Sequence, residues 1–358
     1  MTAAGLDNGR VRVIAAAGAP VALRDLTTTR VGGAAGEHVV ATDTDGLVEA
    51  VRSADRDGVP VLVVGGGSNL LVGDDGFPGR VVVVRTRGVV VEAEDSCGGA
   101  AVRVAAGEDW DRLVSTAVDR QWLGVEALAG IPGSVGATPV QNVGAYGQEV
   151  ADSIAAVRTL DRVTGRIRTI AAADCGFGYR TSRFKAEPGR FVVLEVAFAL
   201  VTGTVTRTVG YAELAGRLGI AVGDAAPARD VAAAVRDLRR AKGMVLDAAD
   251  PDTWSTGSFF TNPVVAVADV PADAPAWPQP DGRVKTSAAW LIQHSGFGRG
   301  WPGGGPATLS TKHTLAVTNR GTASTADVLG VARAVRDGVR ERFGVTLEPE
   351  PTLVNCSL

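Results

Sequence analysis

The spacing of apolar and polar positions changes several times along this chain, and each change marks an element. Residues 37–42 ("EHVVAT") alternate weakly, as a half-buried strand does. Residues 45–58 then set Leu47, Val48, Val51 and Ala54 on one helical face, with Gly58 and Pro60 to close the helix. "PVLVV" (60–64) is a short unbroken apolar run and predicts a buried strand. Strand, helix and strand thus fit within about 30 residues, the size of a βαβ unit. "RVVVV", "GVVVEA" and "AVRVAAG" continue as short strands separated by turns. Residues 108–121 predict a helix with Leu113, Val114, Ala117 and Val118 inward. "VRTLDRVTGRIRTI" predicts a hairpin around Thr164 and Gly165, and "FVVLEVAFALV" a further strand.

Beyond residue 209 the helical period dominates. Helices are predicted at 229–242, around 285–294 and at 324–343, with a Pro/Ala/Asp-rich loop at 269–282. The longest helix carries Val328, Val331, Ala332, Val335 and Val339 on a core face, and Ser324 with Asp327 forms a capping box. Residues 344–354 ("GVTLEPEPTLV") read as a strand. Two stretches break the pattern. "GGGSN" (65–69) follows a buried strand, and residues 124–147 combine six glycines and two prolines with too little polarity for a solvated linker. An ordered, apolar, glycine-dense segment suggests backbone packed around something flat or extended.

At 358 residues the chain can hold two or three domains, and 46% apolar with 21% charged residues is ordinary for a globular protein. A net charge of -3 offers no basic footprint for nucleic acid, so an anionic ligand must be met by local arginines. Cys97, Cys175 and Cys356 are scattered without a CxxC, which predicts reduced thiols in a cytoplasmic protein. His38, His294 and His313 are isolated and there is no HExxH, so no metal site is expected. The first twenty residues hold an apolar patch without a basic start or signal core, and no run of 18 apolar residues predicts a membrane span. Of 36 basic residues only Lys185, Lys242, Lys285 and Lys312 are lysines; where lysine persists in so arginine-rich a chain, a compact ammonium is one reason and chance the other.

The glycines after residue 64 suggest a phosphate site, but not a dinucleotide fingerprint: G-x-G-x-x-G from Gly65 would need glycine where Leu70 stands. No Gly-Lys-Ser/Thr follows either. What remains is a turn whose amides, with the Ser68 hydroxyl and Asn69 amide, form an anion nest, or simply a tight turn.

Taken in order, "VVGGGSNLLV", "LAGIPGSVGATPVQNVGAYG", "FGYRTSRF", "GSFFTNP" and "LEPE" resemble the UDP-N-acetylenolpyruvoylglucosamine reductases, the MurB flavoenzymes of peptidoglycan synthesis, across residues 26–351. The resemblance implies an α+β fold: a vanillyl-alcohol-oxidase-type FAD-binding domain of two subdomains plus a smaller α+β substrate-binding domain. It divides the chain into residues 1–84 joined by 348–358, residues 85–243, and residues 244–347. It implies FAD, held non-covalently, with its pyrophosphate on Gly65, Gly66, Gly67, Ser68, Asn69 and Leu70. Gly130, Ile131, Pro132, Gly133, Gly136, Gln141, Asn142 and Gly144 would wrap the rest of the cofactor. NADPH would be the hydride donor, and the enolpyruvyl ether of UDP-N-acetylglucosamine the substrate. Arg180 would hold the substrate carboxylate, Glu350 would be protonated or share a proton to donate to it, and Ser258 would give a proton to C2. Tyr179, Tyr211, Lys242 and Asn262 would bind the substrate, Tyr211 closing over it and Lys242 and Asn262 lying near the UDP diphosphate. Membrane and nucleic-acid partners are not implied, and the chain is expected to be a cytoplasmic monomer.

Some positions depart from the family pattern. "LTTTRVGG" lacks an aromatic after the threonines, Trp254 is placed to narrow the diphosphate approach, and Thr261 stands where lysine is frequent. Two other readings stay open. A flavin-dependent oxidase of the same fold class would want a His or Cys tether beside the glycines, which is not present there. A non-catalytic nucleotide-binding module would leave Ser258, Arg180 and Glu350 far apart.

Overall fold

The computed structural model describes residues 21–95, 98–206 and 208–358; the N-terminal apolar patch and Cys97 lie outside them. The chain runs through β1 (Ala35–Ala41), α1 (Thr44–Arg56), β2 (Val61–Val64), β3 (Leu70–Val72) and β4 (Phe77–Val84). The Gly46 N–H donates to the Asp43 carboxylate at 2.7 Å to start α1, and Leu47, Val48, Val51 and Ala54 are buried beneath it. The predicted βαβ unit is present, but β1 and β2 are not neighbours. β4 lies between them, parallel to both. Its four consecutive valines, Val81 to Val84, are all buried, the unalternated pattern of a central parallel strand.

A second, antiparallel sheet follows in the order Arg166–Ala171, Ile154–Asp161, Phe191–Thr202, β6 (Gly99–Ala105) and β5 (Val89–Asp95), with Trp122–Leu123 paired to the far end of Phe191–Thr202. The hairpin falls where it was predicted, with Gly165 in the left-handed region at φ 66°. α2 (Trp110–Asp119) packs on this sheet through Trp110, whose ring lies 6.2 Å from Phe198. The helices Ala212–Leu218 and Ala228–Ala241 close the same core.

The remaining core surrounds the helices Ala288–His294 and Thr325–Phe343, with Phe259, Phe260, Leu291, Ile292, Val328, Val335 and Val339 at its centre. Ser324 and Asp327 form the predicted capping box. Two expectations change here. The helix expected from 285 begins at Ala288, because Lys285 belongs to the strand Val284–Thr286 and Ser287 caps the Trp290 N–H. The strand expected over 344–354 is confined to Thr352–Val354, since Pro349 and Pro351 have no N–H to pair. That short strand runs parallel to β3, 282 residues earlier in the chain. Helices and strands are mixed and partly segregated, an α+β architecture.

Candidate active site

Between these units lies a cavity of about 700 Å3, within the range of small-molecule sites. Both glycine-rich segments line it together with Arg180, Lys185, Arg239, Ser258 and Glu350, with Val61, Val84, Trp110 and Val192 among its apolar walls.

The two glycine segments make room for each other. A Cβ on Gly66 would lie 2.6 Å from Gly133 Cα, and one on Gly67, at φ 64°, would lie 1.8 Å from the Leu26 carbonyl oxygen. The Arg85 guanidinium fixes the turn by donating to Gly65 O at 2.9 Å. The Ser68 hydroxyl donates to Pro132 O and the Asn69 amide to the Glu350 backbone, so neither polar group is free in the way the anion-nest reading supposed. The backbone is. Among the described residues no partner accepts from the N–H groups of Gly66, Gly67, Ser68 or Asn69, and all four residues line the cavity. A run of unpaired amides on a cavity wall is the donor set a phosphate fits.

The cavity also holds a charged network. Arg180 Nε lies 3.0 Å from Glu350 Oε1, and its Nη2 donates to Gly144 O at 2.6 Å. Gln141 Nε2 donates to the same Glu350 oxygen at 3.1 Å, while Lys185 Nζ donates to Gln141 Oε1 at 2.9 Å and to Arg180 O at 3.1 Å. Burial pushes the Lys185 ammonium below its ordinary value. Ser258 reaches the cavity because its strand neighbours pair with the C-terminal segment: Glu350 N donates to Phe259 O at 2.8 Å, and Phe260 bridges Pro349. Its hydroxyl has no protein partner among the described residues.

Most of the residues expected at the site do line the cavity; Gly130, Asn142, Tyr179, Tyr211, Lys242 and Asn262 do not. Asn142 is buried at φ 46° behind the wall, donating to Glu149 and Gly178 and accepting from Ala151, so it shapes the turn after Gln141 and does not face the cavity. Gly130 donates to Asp111 at 2.6 Å from a left-handed turn. The other four form two groups outside the cavity. Tyr179 Oη accepts from Asn262 N at 3.4 Å, with Lys285 Nζ 4.5 Å from its ring. Tyr211, 46% exposed, meets Tyr146 edge-on at 5.3 Å, and Lys242 lies 5.6 Å from the Tyr146 ring while paired with Glu213. Trp254 stacks on Arg30, 3.8 Å away, outside the cavity lining.

Lys185, Tyr146 and Arg239 had no assigned role in the sequence. The scarcity of lysine was the one signal for Lys185, and Tyr146 lay unremarked in "GAYG". Nothing separates Arg239 from Arg240 in a basic helix end until burial is known.

A model of the FAD binding domain matches residues 37–171 and places the chain among FAD-binding proteins. The model of the UDP-N-acetylenolpyruvoylglucosamine reductase C-terminal domain matches residues 250–354. The reductase of that name from Cutibacterium acnes is 55% identical over 343 residues, 95% of this chain and 91% of the relative. That from Salinispora arenicola is 56% identical, covering 93% and 94%. The crystal structure of the Thermus caldophilus MurB reductase superposes with a TM-score of 0.64 at 28% identity, covering 93% of this chain and 97% of that one. The chain belongs to the UDP-N-acetylenolpyruvoylglucosamine reductase family.

Proposed function

We propose that the cavity holds FAD and that the chain reduces the enolpyruvyl group of UDP-N-acetylglucosamine enolpyruvate to UDP-N-acetylmuramate, with NADPH as reductant, in peptidoglycan precursor synthesis. The observation that carries this reading is the meeting of Arg180, Ser258 and Glu350, from three distant segments, on one cavity that free backbone amides also line. The amides of residues 66–69 suit the pyrophosphate, and the apolar walls with Ile131, Pro132 and Gly133 suit a flat ring. The chemistry that FAD would supply there is hydride transfer from NADPH to the enolpyruvyl carbon.

The chain's own residues do the rest. Arg180 binds the substrate carboxylate and absorbs the charge that gathers on it, for which a planar fork is suited. In the present arrangement its Nε serves Glu350, and both partners of that carboxylate oxygen are donors. Glu350 stands beside Arg180 as the second group for the substrate carboxylate. Ser258, with its hydroxyl unengaged, delivers a proton to C2. Tyr179, Tyr211, Lys242 and Asn262 bind the substrate from outside the cavity, Tyr211 closing over it and Lys242 and Asn262 taking the UDP diphosphate. We divide the chain into an FAD-binding part, residues 1–84 with 348–358 and 85–243, and a substrate-binding part, 244–347; the pairing of Thr352–Val354 with β3 supports the first grouping. We read the protein as a cytoplasmic monomer without nucleic-acid or membrane partners. A net charge of -3 supports this, and no described helix is long and apolar enough to cross a membrane.

The test is anaerobic. NADPH should bleach the purified holoprotein, and UDP-N-acetylglucosamine enolpyruvate should restore its colour. Ser258→Ala should bleach normally and recover at least ~100-fold more slowly, the size of a lost positioned proton donor. Equal loss of both half-reactions would refute the role given to Ser258.

A further inference from the structure

The loop from Gly124 to Gln148 supplies much of the cavity wall, and one pair of side chains ties its two ends. Glu126, in the short 3-10 turn Glu126–Leu128, is 1% exposed and has no cationic partner among the described residues. Its Oε2 accepts from Gly124 N at 2.7 Å, and its Oε1 from Gln148 Nε2 at 3.0 Å and from Thr206 Oγ1 at 2.7 Å. Gln148 answers by accepting from Ala127 N at 2.7 Å with its own Oε1. A buried carboxylate without a cation is kept only where donors fill its lone pairs, and all three groups facing this one donate. An amide at the same place would set its NH2 against the Gly124 N–H or the Gln148 amide and leave donors unpaired in the interior. The loop needs such a tie. Asn142 and Tyr146 sit at φ 46° and 49°, left-handed conformations that non-glycine residues hold only where the surrounding structure fixes them.

The strands Gly144–Ala145 and Gln148–Glu149 pair as a hairpin, with Ala145 opposite Gln148 and Gly144 opposite Glu149. The Gly144 carbonyl of that hairpin accepts from Arg180 Nη2 at 2.6 Å. Contacts therefore run from Glu126 through Gln148 and the hairpin to the Arg180 guanidinium. Resting on the reading of Arg180 as the group that holds the substrate carboxylate, we propose that Glu126 and Gln148 are a positioning pair for Arg180, fixing the hairpin so that Gly144 aims the guanidinium. Holding the cofactor is the other service such a tie could give. Neither residue lines the cavity, however, and neither hydrogen-bonds residues 65–70, so what the pair reaches is Arg180 and not the free amides.

The two half-reactions separate these services. Bleaching by NADPH needs no substrate carboxylate, so Glu126→Gln holoprotein should bleach at the normal rate. Its recovery with UDP-N-acetylglucosamine enolpyruvate should slow about tenfold, the size of a displaced binding group. Exchanging the two groups, Glu126→Gln together with Gln148→Glu, keeps an amide facing a carboxylate and acceptors for the Gly124 and Ala127 N–H groups. Recovery in that double variant should return to within about threefold of the wild type, a coupling that two independent sites would not show. Equal slowing of both half-reactions overturns the proposal, as does an unchanged recovery in the single variant or a double variant no faster than the single one. Weaker FAD retention with the ratio of the two rates unchanged overturns it too, and assigns the pair to the cofactor. If Glu126→Gln cannot be loaded with FAD, Gln148→Met and Thr206→Val holoproteins are compared. Gln148→Met should slow recovery alone and Thr206→Val, which leaves the hairpin tied, should slow neither step; identical behaviour of the two sinks the idea. A wild-type protein whose colour does not return ends the proposed reaction, whereas wild-type recovery without a selective loss in the variants ends this assignment alone.

Discussion

Arg180 sits at φ 53°, a left-handed conformation that costs a non-glycine residue of order 1 kcal/mol, and the network around it holds it there. Lys185 is central to that hold, since one ammonium fixes both the Arg180 carbonyl and the Gln141 side chain that braces Glu350. Lys185→Met should therefore lower kcat about tenfold, ~1.4 kcal/mol of transition-state stabilisation, by loosening the bracing. FAD content should stay unchanged, because Lys185 touches neither the free amides nor the Gly130 turn. Stopped-flow recovery of flavin absorbance is the measurement, and a lost cofactor would mean the residue is structural. At Gly66 the constraint is steric. Gly66→Ala sets a methyl 2.6 Å from Gly133 Cα, backbone against backbone, so it should destabilise the holoprotein by about 1–3 kcal/mol in urea melts and weaken FAD binding in the same step.

Elements carry their own pH responses. Asp161 ends the strand Ile154–Asp161, is buried, and accepts from Arg190, whose hydrogen bonds hold its carboxyl down at about 2. The Val163 and Thr164 N–H groups of the hairpin also donate to it. A folded value below the unfolded one means that this stabilisation is complete above about pH 4 and fades as the pH falls toward 2. His313, in the loop before Val317–Asn319, is pushed down to about 4 by burial and by Lys242 and Arg299. It must charge on unfolding, so stability should fall by at most about 3 kcal/mol between pH 6.5 and 4. Urea midpoints against pH should thus decline in two stages, with His313→Gln flattening the upper one and Asp161→Asn the lower. The same elements show how much a sequence discloses. Helices such as α1 and Thr325–Phe343 were legible because period, cap and stop agree within fifteen or twenty residues. The glycine blocks and the order of the motifs disclosed the cavity wall. What stayed hidden depends on distance across the fold: β4 lying between β1 and β2, Lys285 entering a strand, Asn142 turning away from the cavity, and Arg239 losing its solvent.

The molecule as a whole closes around its site with contacts between distant segments. Thr28 Oγ1 donates to Ser255 O at 2.7 Å, Asn319 Nδ2 to the Thr29 carbonyl at 3.1 Å, and Thr352 N to Asn69 O at 2.9 Å. Asp74, in the turn before β4, accepts from the Thr325 and Ala326 N–H groups, capping the long helix across 250 residues of sequence. No short segment can form the cavity alone, so FAD binds the folded chain and not the unfolded one, and its binding energy adds to stability as RT ln(1 + [L]/Kd). With free FAD at 1,000 times its Kd this amounts to about 4 kcal/mol. Stripping the cofactor should lower Tm, and titrating FAD back should raise it in proportion to log[FAD], without a plateau at one equivalent. Flavin fluorescence on release and loss of far-UV helical signal should coincide in the holoprotein. Asp74→Ala removes one link while leaving the Ser324 cap in place, so it should cost about 1 kcal/mol, a Tm lowered by about 1–2 °C. Both signals should move together in that variant; flavin leaving well before the helices melt would show that the C-terminal segment and the FAD wall are not one cooperative unit.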